Sequence, residues 1–446
     1  MRIELYLLGL VATSLMAAPA TQSLQVTFNK DVAPILQKNC QGCHRPGEAA
    51  PMSLLSYQQA RPWAKAIREA ALLKRMPPWF ADPHFGKFSN DRSLSQTEID
   101  TLVAWADNGA PEGDPKDLPP PRQFVGGWNI GTPDAVFEMP NEFEVPPTGT
   151  VEYQYIVIPT GFTEDKWVQL AEVRPGNRAV VHHVIAFIRE PGSKWMRDAK
   201  AGIPFVPKKR TADPQRGSQD PQQGRRNDDE GGGGQLLVGF APGMQPETLP
   251  PGQAKLVKAG SDLVFQMHYT ASGKPGTDRT KIGLVFAKEK PALRVLTVPA
   301  ANRKFVIPPG ASNHQVESEI TIQDNANLIA LMPHMHLRGK DFEYRLVYPT
   351  GESETLLRVP KYSFNWQLFY YFEKPKMLTK GARIECTAHF DNSANNSANP
   401  NPNEEVRWGD QSWEEMMIGW FTVAFDPAMK PGDLFKEKKP APRSDD

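Results

Sequence analysis

Apolar residues change their spacing near residue 120, and the change divides the chain. From Thr27 to about Pro111 the period is helical. In DVAPILQKNCQGCH, Val32, Ile35 and Leu36 fall on one face. Ser95 and Glu98 read as a capping box ahead of Ile99, Leu102, Val103 and Trp105, with Asn108-Gly109 as the stop. Beyond residue 124 the pattern becomes short runs rich in Val, Ile, Phe and Tyr, among them VEYQYIVI, AVVHHVIAFI, DLVFQMHYTA, KIGLVFA and NLIALMPHMHL. Broken by Pro, Gly and Asn, these predict antiparallel sheets packed face to face. One ordinary sandwich takes only about 100 residues, so two are expected here. The predicted fold is multidomain: a small all-α unit over 27–113, a proline-rich linker over 114–123, and two antiparallel, jelly-roll-like β-sandwiches over 124–290 and 291–430. A polar tail over 431–446 follows them. The stretch 207–234 has almost no apolar residue and is expected to be a mobile insertion.

Composition adds a setting. Residues 1–20, MRIELYLLGLVATSLMAAPA, carry one basic residue, an apolar run and a small-residue ending, which reads as a secretory signal peptide. A periplasmic or secreted protein is expected, with no membrane span, since no later run is long and apolar enough. The 51 basic residues balance 51 acidic ones, so no field favours nucleic acid or an anionic membrane. Three cysteines in an exported chain of 446 residues exclude an intramolecular disulfide framework if two are used elsewhere.

Two of them are. Cys40-Gln41-Gly42-Cys43-His44 has the spacing that attaches one haem c covalently, the two thiols forming thioethers and His44 giving its imidazole to iron. The competing zinc or redox reading would need further ligands, and there is no second Cys pair. The stretch KRMPPWFADPH offers Met76 as the sixth ligand, with Met52 and His84 as rivals, or with Met76 merely packed on the haem edge. His44/Met76 ligation leaves no open position and suits electron transfer, which would make residues 27–113 a cytochrome c-like domain fed by an upstream electron donor.

Of nine histidines, five fall in three strand-like runs: His182-His183, His268, and His334 with His336. A two-residue period places His334 and His336 on one face, where two imidazoles converge on one ion. Adjacent His182 and His183 point to opposite faces unless the strand is bulged. His268 alone reads more readily as a core histidine, and isolated His314 and His389 as ordinary structural residues.

Taken together, the order His-His, then Gln266-x-His268-Tyr269, then His334-x-His336, then Glu414-Glu415-Met416 resembles the copper type II ascorbate-dependent monooxygenases, the family of dopamine beta-monooxygenase and peptidylglycine alpha-hydroxylating monooxygenase. The resemblance implies two coppers. His182, His183 and His268 would hold the electron-transfer copper, and His334, His336 and Met416 the copper that meets O₂. A soft thioether suits Cu(I). There are departures. Family members commonly tie the cysteine matching Cys386 to the residue after the ligand Met, which here is Met417. The peptide-amidating enzyme has an arginine two residues before His-x-His, where this chain has Met332. A small apolar organic substrate is therefore expected, hydroxylated at a C–H bond with O₂, the fused haem replacing a diffusing reductant. The alternative is a non-catalytic electron-transfer cytochrome with a copper- or ligand-binding β-module.

Overall fold

The computed structural model describes residues 25–48, 50–207 and 234–437. The expected signal peptide, nearly all of the 207–234 insertion and the end of the polar tail lie outside the described residues.

Strand Ile418–Phe425, IGWFTVAF, carries no charge and is buried along its whole length. That composition fits the centre of a sheet covered on both faces. It pairs antiparallel with Leu293–Ala301 on one side and Ala326–His334 on the other. These belong to a nine-stranded sheet that continues through Gln253–Val257, Lys166–Arg174 and Lys281–Phe286 to Ala135–Glu138 at one edge, and to Tyr370–Leu378 at the other. Strand Arg383–Phe390 instead alternates buried and half-buried positions, as a sheet with one covered face requires. It lies inside a five-stranded sheet with His314–Ile322, Gly339–Val347, Ser353–Val359 and Phe435–Glu437. A four-stranded sheet is built from Gln154–Pro159, Asp262–Tyr269, Val181–Arg189 and Gln235–Phe240.

The molecule is thus mostly β-sheet, with its principal sheets antiparallel, but the two halves share one sheet. Gln253–Val257 and Leu293–Ala301 pair in parallel across the expected division near residue 290, through Leu293 opposite Gln253 and Arg294 opposite Ala254. The five-stranded sheet packs on one part of the nine-stranded sheet through Leu331, Phe421, Tyr344 and Ile384. The four-stranded sheet packs on the other part through Val184, Phe265, Val168 and Leu284. Its second face is also buried, where Leu236 and Val264 meet Met332, Ile418 and Trp420. This third core positions the site described below.

Helices are few and small, and the all-α cytochrome c domain expected from the sequence is not evident from them. Ala33–Asn39, Tyr57–Ala60, Ala64–Leu72 and Gln96–Asp107 gather around Phe28, Leu36, Leu102 and Trp105. The capping box is formed: Ser95 N–H donates to Glu98 Oε2 at 2.8 Å, and Glu98 N–H donates to Ser95 Oγ at 3.2 Å. Much of the chain between the last two helices leaves the cluster. Phe88 bridges antiparallel to Phe372, and Trp79 and Phe88 pack on Tyr370 with ring centroids 4.8 and 5.5 Å away. Among the described residues, no helix is long and apolar enough to cross a membrane.

Candidate metal centres

Strand Val181–Arg189 sends Val184, Ala186 and Ile188 into one core and His183, Ile185 and Phe187 toward the other. Regular alternation would turn His182 away from His183. The register with Asp262–Tyr269 shifts between Val181 and His183, so the extra residue of a β-bulge is His182. The bulge swings its ring beside its neighbour's. On the partner strand Leu263, Phe265, Met267 and Tyr269 fill the first core, which leaves His268 on the His183 side, directly opposite in register. His183 Nδ1 then lies 3.2 Å from His182 Nδ1 and 3.3 Å from His268 Nδ1. Two nitrogens each about 2 Å from one tetrahedral ion stand about 3.3 Å apart, so the spacing fits a shared metal. Burial holds all three imidazoles below their ordinary range, His268 down to about 3. They are neutral and carry the lone pairs a metal needs. The Nε2 of His183 is buried without a hydrogen-bond partner.

The second group lies across the same core. Ala330, Met332 and His334 follow one another at two-residue spacing on strand Ala326–His334, as do Met416, Ile418 and Trp420 at the entry to Ile418–Phe425. The strand ends at His334, and His336 sits just past it with its ring 5.3 Å from His334 at 90°. Gln367 Oε1 lies 2.7 Å from His334 Nδ1, and the Glu414 carbonyl lies 3.2 Å from His336 Nδ1. Each contact leaves Nε2 available, the usual arrangement for a metal-binding histidine. Burial lowers His334 to about 4 and holds His336 well below its ordinary range. Glu415 ties the segments together, its carboxylate accepting from the His336 and Arg338 amides at 2.8 and 2.6 Å. Met416 follows it and is buried beside Met332 and Trp420.

Several residues here carry no motif. Phe364 places its ring 5.4 Å from His182, 5.8 Å from His268 and 5.8 Å from His336, so one side chain touches both groups. Asn365 Oδ1 is 3.2 Å from His182 Nε2. Tyr153 stacks on His268 at 4.6 Å and reaches to 6.5 Å from His336, its hydroxyl buried and unpartnered. A small pocket beside His183 is lined also by Met244, Met332, Gln367 and Phe369. Apart from His183 and Met332, such positions lie in loops or in otherwise ordinary strand residues, and only the site's assembly singles them out.

In the helical part, burial pushes the Cys40 thiol up to about 12 and raises Cys43 as well. A redox-active C-x-x-C needs the opposite shift. His44 Nδ1 is buried without a partner. Two neutral thiols and an adjacent imidazole fit covalent haem attachment. Met52 packs in the same apolar cluster as Cys40, whereas Met76 stands beyond helix Ala64–Leu72 with its amide on the Ala70 carbonyl at 3.3 Å. His84 is exposed and paired with Asp82 at 2.6 Å. His389 pairs with Asp341 at 2.7 Å, and His314 begins strand His314–Ile322 of the five-stranded sheet. Cys386 is a buried free thiol.

Residues 293–419 match the family model of the copper type II ascorbate-dependent monooxygenase, C-terminal domain. The matched range holds His334, His336, Met416 and the Phe364 loop, and the earlier histidines precede it. No curated protein matches the chain. Among solved structures, the infectious bursal disease virus Gx strain is 10% identical over 67% of this chain and 74% of that one, with a TM-score of 0.19. The VP2 subviral particle of that virus gives the same figures, again with a TM-score of 0.19. Overlaps at that level do not define a shared fold.

Proposed function

We propose that this protein is an exported monooxygenase with two copper centres and one haem c, which hydroxylates a C–H bond of a small apolar organic substrate. The observation that carries the reading is the convergence of three imidazoles, His182, His183 and His268, across one core from His334 and His336 in a domain similar to copper monooxygenases. Copper, when bound, supplies one-electron redox chemistry and reactivity toward O₂. The overall change takes O₂, two electrons and two protons, places one oxygen in the C–H bond and releases the other as water.

The chain's own residues do the rest. His182, His183 and His268 would hold one ion through a preset all-nitrogen face, while His334, His336 and Met416 would offer the mixed nitrogen and thioether set that favours Cu(I). Gln367 and the Glu414 carbonyl orient the second pair. Met332 and Phe369 give the pocket beside His183 an apolar wall with no cation for a carboxylate. Cys40, Cys43 and His44 would hold the haem, which supplies a one-electron relay from an upstream donor. That part of the chain abuts the first centre: Glu48 accepts from Arg178 at 3.0 Å, four residues before His182.

The test is metal analysis of the exported protein, then product mass under ¹⁸O₂ across small apolar compounds. Two coppers and one iron per chain are expected, with one labelled oxygen gained. His334→Ala and Met416→Ala should abolish that gain while the other copper remains reducible. Zinc at full occupancy, or no metal beyond iron, would overturn the reading in favour of a non-catalytic module.

A further inference from the structure

Segment 364–371 connects the two histidine groups more directly than any ligand strand does. Within it Asn365 Oδ1 contacts His182 Nε2 at 3.2 Å, the Phe364 ring lies between the groups, and Gln367 Oε1 contacts His334 Nδ1 at 2.7 Å. Three side chains on one short loop therefore set ring orientation in both places. Residues 364–369 have no ladder of their own; the segment is fixed where it enters strand Tyr370–Leu378, whose Tyr370 and Tyr371 pair with Leu331 and Ala330, and otherwise by what it is bonded to.

The N-terminal part of the chain supplies several of those bonds. The Asn90 side-chain amide reads the loop's backbone at two points: Nδ2 donates to the Phe369 carbonyl at 2.7 Å, and Oδ1 accepts from the Tyr371 amide at 3.0 Å. Ser89 N–H adds a bond to the Tyr371 carbonyl at 2.8 Å, and Glu373 N–H donates to the Lys87 carbonyl at 3.0 Å. Trp79 and Phe88 pack on Tyr370, the three rings in mutual contact. Arg92 also donates to the Gly243 carbonyl. That glycine takes φ +85°, and a Cβ built on it would meet both Pro78 and the Trp366 ring at 3.5 Å. The residues that follow the C-x-x-C-H helices thus hold the loop at the end where it enters strand Tyr370–Leu378.

We infer that Asn90 is a positioning residue for both metal centres at once, acting through the 364–371 loop although it touches no ligand. The inference rests on the reading of His182 and His334 as ligands in separate centres. It makes the N-terminal segment part of the oxygenase site and not only its electron inlet. A change at residue 90 reaches both rings because Asn365 and Gln367 move with the backbone that Asn90 holds.

The experiment compares Asn90→Asp, Asn90→Ala, Asn365→Ala and Gln367→Ala with wild type in the full-length protein. Asn90→Asp keeps the acceptor for Tyr371 N–H and nearly the same shape, but loses the donor to Phe369, so it remains useful if Asn90→Ala does not fold. With copper bound, the Cu(II) paramagnetic resonance signals of both sites should shift in the Asn90 variants. Asn365→Ala should shift the His182 site alone, and Gln367→Ala the His334 site alone. The metal-free protein labelled with ¹⁵N-histidine gives a second readout: ring resonances of His182 and His334 should both move in Asn90→Asp, with that of His389 unchanged. Failure of wild type to bind copper would sink the metal reading, and the ring resonances would still decide the inference. Unmoved His182 and His334 resonances in a folded Asn90→Asp would overturn it.

Discussion

Five imidazoles reach the candidate centres in the neutral form because burial, more than any charge, disfavours their protonation. A two-residue period brought His334 and His336 together from the sequence, whereas His182, His183 and His268 were grouped only by the family order. Spacing alone could not turn His182 toward His183, since a bulge is a register event between strands and leaves no mark in one strand's composition. Phe364, Asn365 and Gln367 were likewise hidden, lying in an irregular loop whose role depends on what folds against it. At the haem motif the residue scale leaves a choice that a measurement can make. Met76 is the sequence-based axial ligand, yet Met52 shares an apolar cluster with Cys40. If Met76 is the ligand, Met76→Ala should remove the thioether-to-iron absorption and magnetic circular dichroism band, while Met52→Ala keeps it. The reverse result would assign Met52.

At the scale of elements, strand Ile418–Phe425 carries more than its length suggests. It lies between two antiparallel partners, and Met416 and Glu415 stand at its entry. Gly419 allows that approach: a Cβ there would fall 2.4 Å from Cys386 Sγ and 3.0 Å from Tyr344 Cε1, inside the contact limit of real carbons. The Cys386 thiol is itself fully buried and pushed up by burial, so it fills space as an inert group. Gly419→Ala should therefore destabilise the fold by about 1–3 kcal/mol through overpacking, read as a lower melting temperature. Gly419→Ala combined with Cys386→Ala should recover much of that loss. An unchanged melt in the single variant would show that the sheet yields at this point. Buried strands of this kind were legible from unbroken apolar runs. Which strands become neighbours was not, and the parallel pairing of Gln253–Val257 with Leu293–Ala301 has no local signature.

At the scale of the molecule, the change of texture near residue 120 marks where helices give way to strands, but it does not mark a boundary between independent bodies. Residues 79–92 cross it and pack against the Tyr370–Leu378 edge, because the aromatic Trp79, Phe80 and Phe88 find an apolar partner there. A further connection is ionic. Glu48, five residues after Cys43, accepts from both Arg45 at 2.7 Å and Arg178 at 3.0 Å, and the Arg178 guanidinium lies 5.3 Å over the Phe240 ring. Both Glu48 and Arg178 are mostly buried, so their attraction is screened less than that of a surface pair. This contact leads from the C-x-x-C-H turn to the strand bearing His182 and His183. If it sets the distance for electron transfer, anaerobic stopped flow of the haem-reduced, Cu(II)-loaded protein should show haem oxidation at a rate independent of protein concentration, since tethered partners react as one molecule. Arg178→Glu should slow that phase several-fold by placing two carboxylates against each other, and Arg178→Glu with Glu48→Arg should restore part of the rate. His182→Ala should remove the fast phase, whereas Met416→Ala should retain its first electron. Oxidation that is second order in protein, or indifferent to copper, would mean that the haem serves a separate partner and that the Arg178–Glu48 contact is structural.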